Sequence, residues 1–236
     1  MEIISSEENK IVFKGGIDES IANSIRRYLN QVPILAIDEV EIIKNGSALY
    51  DETVAHRLGL IPIVSEKVGE KGGHLKLNSN KEGFILSEEL KGNVDVVYGN
   101  IPITFLDKEQ ELELSATVKP GKGTEHVKFS PGLMFYRRIA EITMEKAFLE
   151  EVKRACPNAT IKEKGDKIIV LDDGIKEIKD VCEGICDRAN KKAEIKEGDE
   201  IIITVEGFGQ MPVKDIFKKS IDALEKDLAE ISKKIK

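Results

Sequence analysis

The stretch MPVKDIFKKSIDALEKDLAEISKKIK, from Met211 to the final lysine, narrows the possible folds more than any other part of the chain. Phe217, Ile221, Leu224, Leu228, Ile231 and Ile235 recur at intervals of four, three, four, three and four. The average period is 3.5 residues, the signature of one helix lying along another. A helix packed on a globular core shows a broader apolar face than this narrow seam. Pro212 suits the first turn, where its missing N–H costs nothing. From Pro212 onward the helix would reach about 37 Å at 1.5 Å per residue. Something must cover a seam of that length.

The opposite end carries a second apolar stripe. Glu2–Ile4 and Ile11–Phe13 are short apolar runs around the polar SSEENK, which reads as a hairpin closed by Gly15–Gly16. Asp18 or Ser20 then offers a side-chain oxygen to the open N–H groups of a helix. Along that helix Ile17, Ile21, Ile25, Leu29 and Val32 recur at helical spacing. Arg26 and Arg27 fall on its flank, because successive residues stand about 100° apart. Pro33 expels Val32 from the helical region and ends the element. The strand ILAIDEVEII follows, and its alternation slips at Asp38–Glu39, as an extra residue in a β-bulge would cause.

The middle of the chain predicts a short helix and then many strands. YDETVAHRLGLIPI reads as a helix with Asp51 as cap, Val54 and Leu58 buried, and Gly59 as its stop. No nucleophile–base set accompanies His56, so it reads as a surface residue. Between Gly72 and Val118, the segments HLKLN, FIL, VDVVY, IPITFL and ELELSATV read as strands separated by turn residues. KPGKGTEH, Lys119 to His126, fails as a phosphate loop. Gly123 is followed by Thr124, where the phosphate-loop pattern needs Lys. It reads as a surface turn. Arg137 and Arg138 read equally as part of an interface or as plain surface.

Composition excludes several functions. The net charge of -7 opposes autonomous nucleic-acid binding, which depends on a basic footprint. No run approaches the ~18 apolar residues of a membrane helix, and the acidic N-terminal stretch does not resemble a secretory signal. Three cysteines in 236 residues are too few for a disulfide scaffold. A cytoplasmic protein without a membrane span is expected.

The cysteines fall in a pseudo-repeat. ACPNATIKEKGDKIIV, Ala155 to Val170, and ICDRANKKAEIKEGDEIII, Ile185 to Ile203, each place a Cys before a helical turn. Each continues with an Ile-Lys pair, a Gly-Asp turn and a β-branched run. The bacterial ferredoxin run is C-x2-C-x2-C-x3-C-P. Cys182 and Cys186 keep its last spacing, but the two earlier ligand positions are Lys176 and Lys179 and the proline position is Asp187. In the first copy Cys156-Pro157 matches the end, while Val152, Leu149 and Lys146 occupy the other ligand positions. A cluster needs about four thiolates. The expectation is a ferredoxin-like subdomain whose cluster is lost, with Cys156, Cys182 and Cys186 as remnants and no metal or cofactor bound. A zinc site made by these cysteines and a distant ligand is the weaker option.

ANSIRRYLNQVPILAIDEVEI and LYDETVAHRLGLIPI, followed by IPITFL, LELSATVKPGKGTEHVKFSPG and VEGFGQMPVKDIF, resemble segments of the D family of archaeal RNA polymerase subunits, in the same order and over nearly the whole chain. That family is related to the third-largest subunit of eukaryotic RNA polymerase II and to the N-terminal domain of bacterial alpha. Some members carry cluster-bearing ferredoxin-like insertions; this chain departs from them in its missing ligands.

The resemblance implies an α+β fold with three parts. These are a discontinuous dimerisation domain at 1–43 and 201–236 (a small sheet plus two helices), a β-rich insertion domain at 44–145, and a degenerate ferredoxin-like subdomain at 146–200. It implies a non-catalytic assembly platform for transcription within a nucleotidyltransferase complex. The chain would form a heterodimer with small subunit L, receive small subunits N and P and the large catalytic subunits, and bind no specific DNA directly. Ile21, Ile25 and Leu29 would pack on a helix of subunit L or on the tail helix, with Arg26 and Arg27 making forked hydrogen bonds to a neighbour. The tail seam Phe217, Ile221, Leu224, Leu228, Ile231 and Ile235 would carry most of the pairing. A free-standing ferredoxin-like redox or metal protein and an autonomous nucleic-acid-binding module are the alternatives.

Overall fold

The computed structural model describes residues 1–65, 72–157, 159–172, 174 and 177–235. In chain order the first elements are β1 (Glu2–Ser6), β2 (Lys10–Gly15), α1 (Glu19–Tyr28), β3 (Ile34–Asn45) and α2 (Asp51–Gly59). Next come β4 (Gly73–Ser79), β5 (Gly83–Leu86), β6 (Lys91–Gly92), β7 (Pro102–Leu106) and β8 (Leu112–Gly121). The remainder is β9 (Gly132–Glu145), α3 (Leu149–Ala155), β10 (Thr160–Lys164), β11 (Lys167–Leu171), α4 (Ile178–Arg188), β12 (Glu194–Gly207) and α5 (Val213–Lys234). The fold mixes α and β. Its chain divides into two compact units, Met1–Asn23 with Met134–Val205 and Ser24–Leu133 with Glu206–Lys236.

The first unit is built on a six-stranded sheet in the order β1-β2-β12-β9-β11-β10. β1 and β2 form the expected hairpin, pairing Glu2 with Lys14 and Ser6 with Ile11. The run β9-α3-β10-β11-α4-β12 is a split βαβ arrangement, with sheet order β12-β9-β11-β10. Ala140, Ile142 and Met144 alternate along β9 and enter one core with Val152 of α3 and Ile178 and Ile185 of α4. Gly165, at φ +61°, makes the two-residue turn between Lys164 and Lys167 that joins β10 to β11. The matching Gly198-Asp199 makes no turn, because β12 runs straight through it. Neighbours on both sides of β12 in the sheet override the local turn signal. Gly198 instead serves close packing, since a Cβ there would lie 2.9 Å from Ile139 Cγ2.

In the second unit β3-β8-β4-β6 form one sheet and β5-β7 a separate ribbon. Leu112, Leu114, Ala116 and Val118 line the buried face of β8, as their alternation predicts. They share a core with Val54 and Leu58 of α2. The slip in β3 is a bulge: Ile37 pairs with Val118 and Glu39 with Thr117, leaving Asp38 as the extra residue. The bulge presents Asp38 to two lysines, Lys128 Nζ at 2.7 Å and Lys119 Nζ at 3.1 Å. Their hydrogen bonds hold the Asp38 carboxyl below its usual range. Lys119 also reaches Glu39 Oε1 at 2.6 Å. Lys119, Pro120 and Gly121, expected to open a surface turn, instead complete β8, pairing with Ala36, Leu35 and Ile34, because β3 runs on beside them.

Several local expectations are corrected. VDVVY forms no strand; its only β contact among the described residues is a bridge from Val96 to Ile63. Tyr50 caps α2, and Asp51 is instead its first residue, accepting a hydrogen bond from Asn45 Nδ2 at 2.7 Å. Gly59 is the last helical residue rather than a left-handed stop. The helix ends through a tightened turn in which the Leu60 amide donates to Arg57 O and the Ile61 amide to Leu58 O. Three strands run across the expected domain bounds. β3 pairs along its length with β8, so residues 34–43 share the insert's sheet. β9, assigned above to the insertion domain, pairs with β11 in the six-stranded sheet. β12 crosses the 200/201 boundary unbroken.

Candidate functional site

The tail forms the helix its period requires. Pro212 is the N-cap residue, one position before the first turn. Its carbonyl accepts from the Asp215 and Ile216 amides at 2.9 and 3.2 Å. The residues of α5 that reach the core are Val213, Ile216 and Ser220, not the leading residues of the 3.5-residue seam. Their three- and four-residue spacing was readable in the sequence, but the longer seam masked it. Phe217, Ile221 and Leu224 are half-buried. From Glu225 through Ile235 every residue is exposed. Leu228 is 56% exposed, Ile231 54% and Ile235 80%. Three apolar residues therefore continue one stripe into solvent, flanked by Lys226, Asp227, Glu230, Lys233 and Lys234. A narrow apolar seam bordered by charges of both signs has the pattern of a coiled-coil face.

The end of α1 and the turn after it are fastened to the tail helix. The 3-10 turn Leu29–Gln31 packs against α5, and Tyr28 Oη donates to Asp227 Oδ2 at 2.9 Å. That bond raises the Tyr28 pKa, because the carboxylate holds the phenolic proton. Ile25 and Leu29 are buried within the chain itself. Ile21 is 50% exposed, and Ala22 takes its place on the buried face. The expected stripe is thus corrected by one residue: Ala22, Ile25 and Leu29 keep a three- and four-residue spacing. α1 is capped by Asp18, whose Oδ1 accepts from the Ser20 amide at 2.8 Å and whose carbonyl accepts from the Ala22 amide at 3.0 Å. Arg26 and Arg27 are both exposed.

Cys156, Cys182 and Cys186 all enter the core of the first unit, among Ile142, Met144, Val152 and Ile185. No disulfide joins them. Burial pushes the Cys182 thiol up to about 12, with Cys156 and Cys186 as further contributors, so the sulfurs are neighbours. The Cys186 thiol is raised too, chiefly by burial. Lys176 lies outside the described residues. Among the described residues no three His, Cys, Asp or Glu side chains converge as metal ligands. Val152, which aligns with a ligand position of the ferredoxin run, is a buried core residue. Three cysteines among aliphatic side chains fall short of the about four thiolates that an iron–sulfur cluster needs.

Sequence reasoning missed one buried ion pair. Arg137 forks onto Asp172: Nη1 meets Oδ2, and Nη2 meets Oδ1 at 2.9 Å. The Asp172 side chain is fully buried and also accepts from the Gly174 amide. Arg138 pairs with Glu19. Both arginines thus have partners within the chain. Arg137 and Asp172 are 35 residues apart, and nothing in a linear pattern joins them.

Residues 40–134, which span the bulged strand, α2 and the β-rich sheets, match the RNA polymerase Rpb3/RpoA insert domain. That segment is therefore of the RNA polymerase insert-domain class. DNA-directed RNA polymerase subunit Rpo3 of Pyrococcus furiosus is 31% identical, with 95% of this chain and 92% of that protein covered. Rpo3 of Archaeoglobus fulgidus is 30% identical over 99% of this chain and 96% of its own. Rpo3 of Methanosphaera stadtmanae is 35% identical over 72% and 73%. The chain belongs to the Rpo3 family of DNA-directed RNA polymerase subunits.

Proposed function

We propose that this chain is a non-catalytic assembly component of an archaeal RNA polymerase. It pairs with small subunit L through α5, then receives small subunits N and P and the large catalytic subunits. The single observation that carries this reading is the uncovered seam of Leu228, Ile231 and Ile235. Three half- to mostly exposed aliphatic side chains on a capped, regular helix are stable in water only at a cost that a partner helix removes. Family membership supports the choice of complex, and the exposed seam supports the choice of surface. Among the described residues no helix is long and apolar enough to cross a membrane, in keeping with work in the cytoplasm. Co-expression with subunit L, followed by mass measurement of the purified complex, tests the pairing. A one-to-one complex is expected, and two separately eluting chains would refute it.

The split βαβ part of the first unit is, on this reading, a ferredoxin-like fold that has lost its cluster. Its three cysteines now serve as core residues. Iron and zinc analysis of anaerobically purified protein tests this, and near-stoichiometric metal would refute it. A redox carrier would need ligands that the sequence lacks, and a DNA-binding module is opposed by the charge of -7.

A further inference from the structure

Asn45-Gly46 is the only Asn-Gly pair in the chain. It stands where β3 ends and the approach to α2 begins. Glycine is needed there, because a Cβ at Gly46 would lie 3.1 Å from the Glu111 amide nitrogen and 3.3 Å from the Glu111 carbonyl oxygen, main-chain atoms that cannot swing away. Asparagine is needed because one side chain must accept and donate at once. Its Oδ1 accepts from the Ser47 amide at 3.1 Å and from Ser47 Oγ at 2.7 Å. Its Nδ2 donates to Leu49 O at 2.9 Å and to Asp51 Oδ1 at 2.7 Å, which ties the first residue of α2 to the end of β3. The pair that the fold requires is also the most labile asparagine linkage, because glycine leaves the following nitrogen open to the side-chain amide.

In the reaction of such a pair the Gly46 nitrogen loses its proton and attacks Asn45 Cγ. A bond forms between them, the Cγ–Nδ2 bond breaks, and ammonia leaves. Water then opens the five-membered imide. Cleavage at Cγ gives aspartate, and cleavage at the main-chain carbonyl gives isoaspartate. The folded chain withholds the nucleophile, since the Gly46 N–H donates to Glu111 O at 2.8 Å. Asn45 itself is paired with Leu112 as the last residue of β3. Ser47 polarises the amide carbonyl rather than shielding it, so the seal lies with the Gly46 nitrogen and the strand pairing. We propose that Asn45-Gly46 is a latent self-modification site, sealed while β3, α2 and the start of β8 hold together and converted once that junction opens. The aspartate product cannot reseal it. A carboxylate at position 45 has no proton to give Leu49 O, and it meets the Asp51 carboxylate where the amide donated at 2.7 Å. Isoaspartate adds a methylene to the main chain and so breaks the register with β8. This inference rests neither on α5 nor on the polymerase reading.

The test is peptide mass mapping of the full chain after incubation at neutral pH, once in buffer and once in guanidinium chloride. In denaturant Asn45 should change from amide to acid faster than any other asparagine. In the folded chain the same conversion should run at least about tenfold more slowly, since only the opened fraction reacts. Equal rates in the two solutions, or a different asparagine leading in denaturant, would overturn the proposal. Asn45→Asp, which reproduces the aspartate product, tests the failure to reseal. It should unfold at lower urea than the wild-type chain, and Asp51→Asn on that background should recover part of the loss. A wild-type midpoint for Asn45→Asp, or no recovery with Asp51→Asn, would overturn the one-way step. The rate comparison on the wild-type chain stands even if a variant folds poorly.

Discussion

Replacing Leu228, Ile231 and Ile235 together by alanine separates pairing from folding. Leu228 and Ile231 each leave a little over half of the residue uncovered, and Ile235 four-fifths. Full burial of such a side chain yields ~1.5–3 kcal/mol. Covering what remains of the three therefore yields roughly 3–6 kcal/mol when a partner helix arrives. Alanine keeps its Cβ, so the triple variant should lose roughly 2–4 kcal/mol of pairing, about 30- to 1000-fold in Kd. The isolated chain should hardly notice, because exposed substitutions usually fall within about 0.5 kcal/mol and alanine is the better helix former. Calorimetric titration with subunit L gives the first quantity, and urea unfolding of the lone chain the second. The control is Ile216→Ala, fully buried on the same helix. It should cost about 2–5 kcal/mol of folding stability. An unchanged Kd for the triple variant would refute the argument. Destabilisation of the lone chain equal to that of Ile216→Ala would show that the seam is already covered.

Other predictions concern the buried groups. Asp172→Ala leaves the Arg137 guanidinium without its forked partner and should cost about 3 kcal/mol in urea unfolding; a loss under about 0.5 kcal/mol would contradict the burial argument. The Asp38 carboxyl is held below its ordinary 3.8 by Lys128 and Lys119. Its contribution is therefore present above that pH and lost as the pH falls through the lower folded value, so Asp38→Asn should flatten the acid limb of stability against pH. The Cys182 thiol is raised from 9.0 to about 12. Its protonated form favours the fold below pH 9, and that stabilisation drains away as the pH rises toward 12. At pH 8 it should resist aromatic disulfide reagents until denaturant is added, and rapid labelling of the native protein would contradict the burial.

Much of the local structure was legible because it depends on periods of two and 3.6 residues. The hairpin, the bulge at Asp38, the alternation of β8 and the helicity of the tail each follow from a few neighbouring side chains and backbone sterics. The site was only partly legible. Sequence placed an apolar seam on α5, but burial is a property of what arrives from elsewhere. Val213, Ile216 and Ser220 meet the core, whereas Leu228, Ile231 and Ile235 do not. The same limit explains Ile21, which lies on the periodic stripe yet stays half exposed while Ala22 is fully buried.

The sequence by itself determined the hairpin, α1, α2, the alternation of β8 and the helical tail, while β9 went unread and VDVVY was misread, and it determined that three cysteines fall short of a cluster's ligand set. Tertiary structure alone decided which face of each element is covered, that β3 pairs along its length with β8, and that Arg137 belongs to Asp172. The physical reason is range. Backbone preference and side-chain period act over a few residues, whereas coverage and pairing depend on groups tens or hundreds of positions away, which only the folded chain brings together.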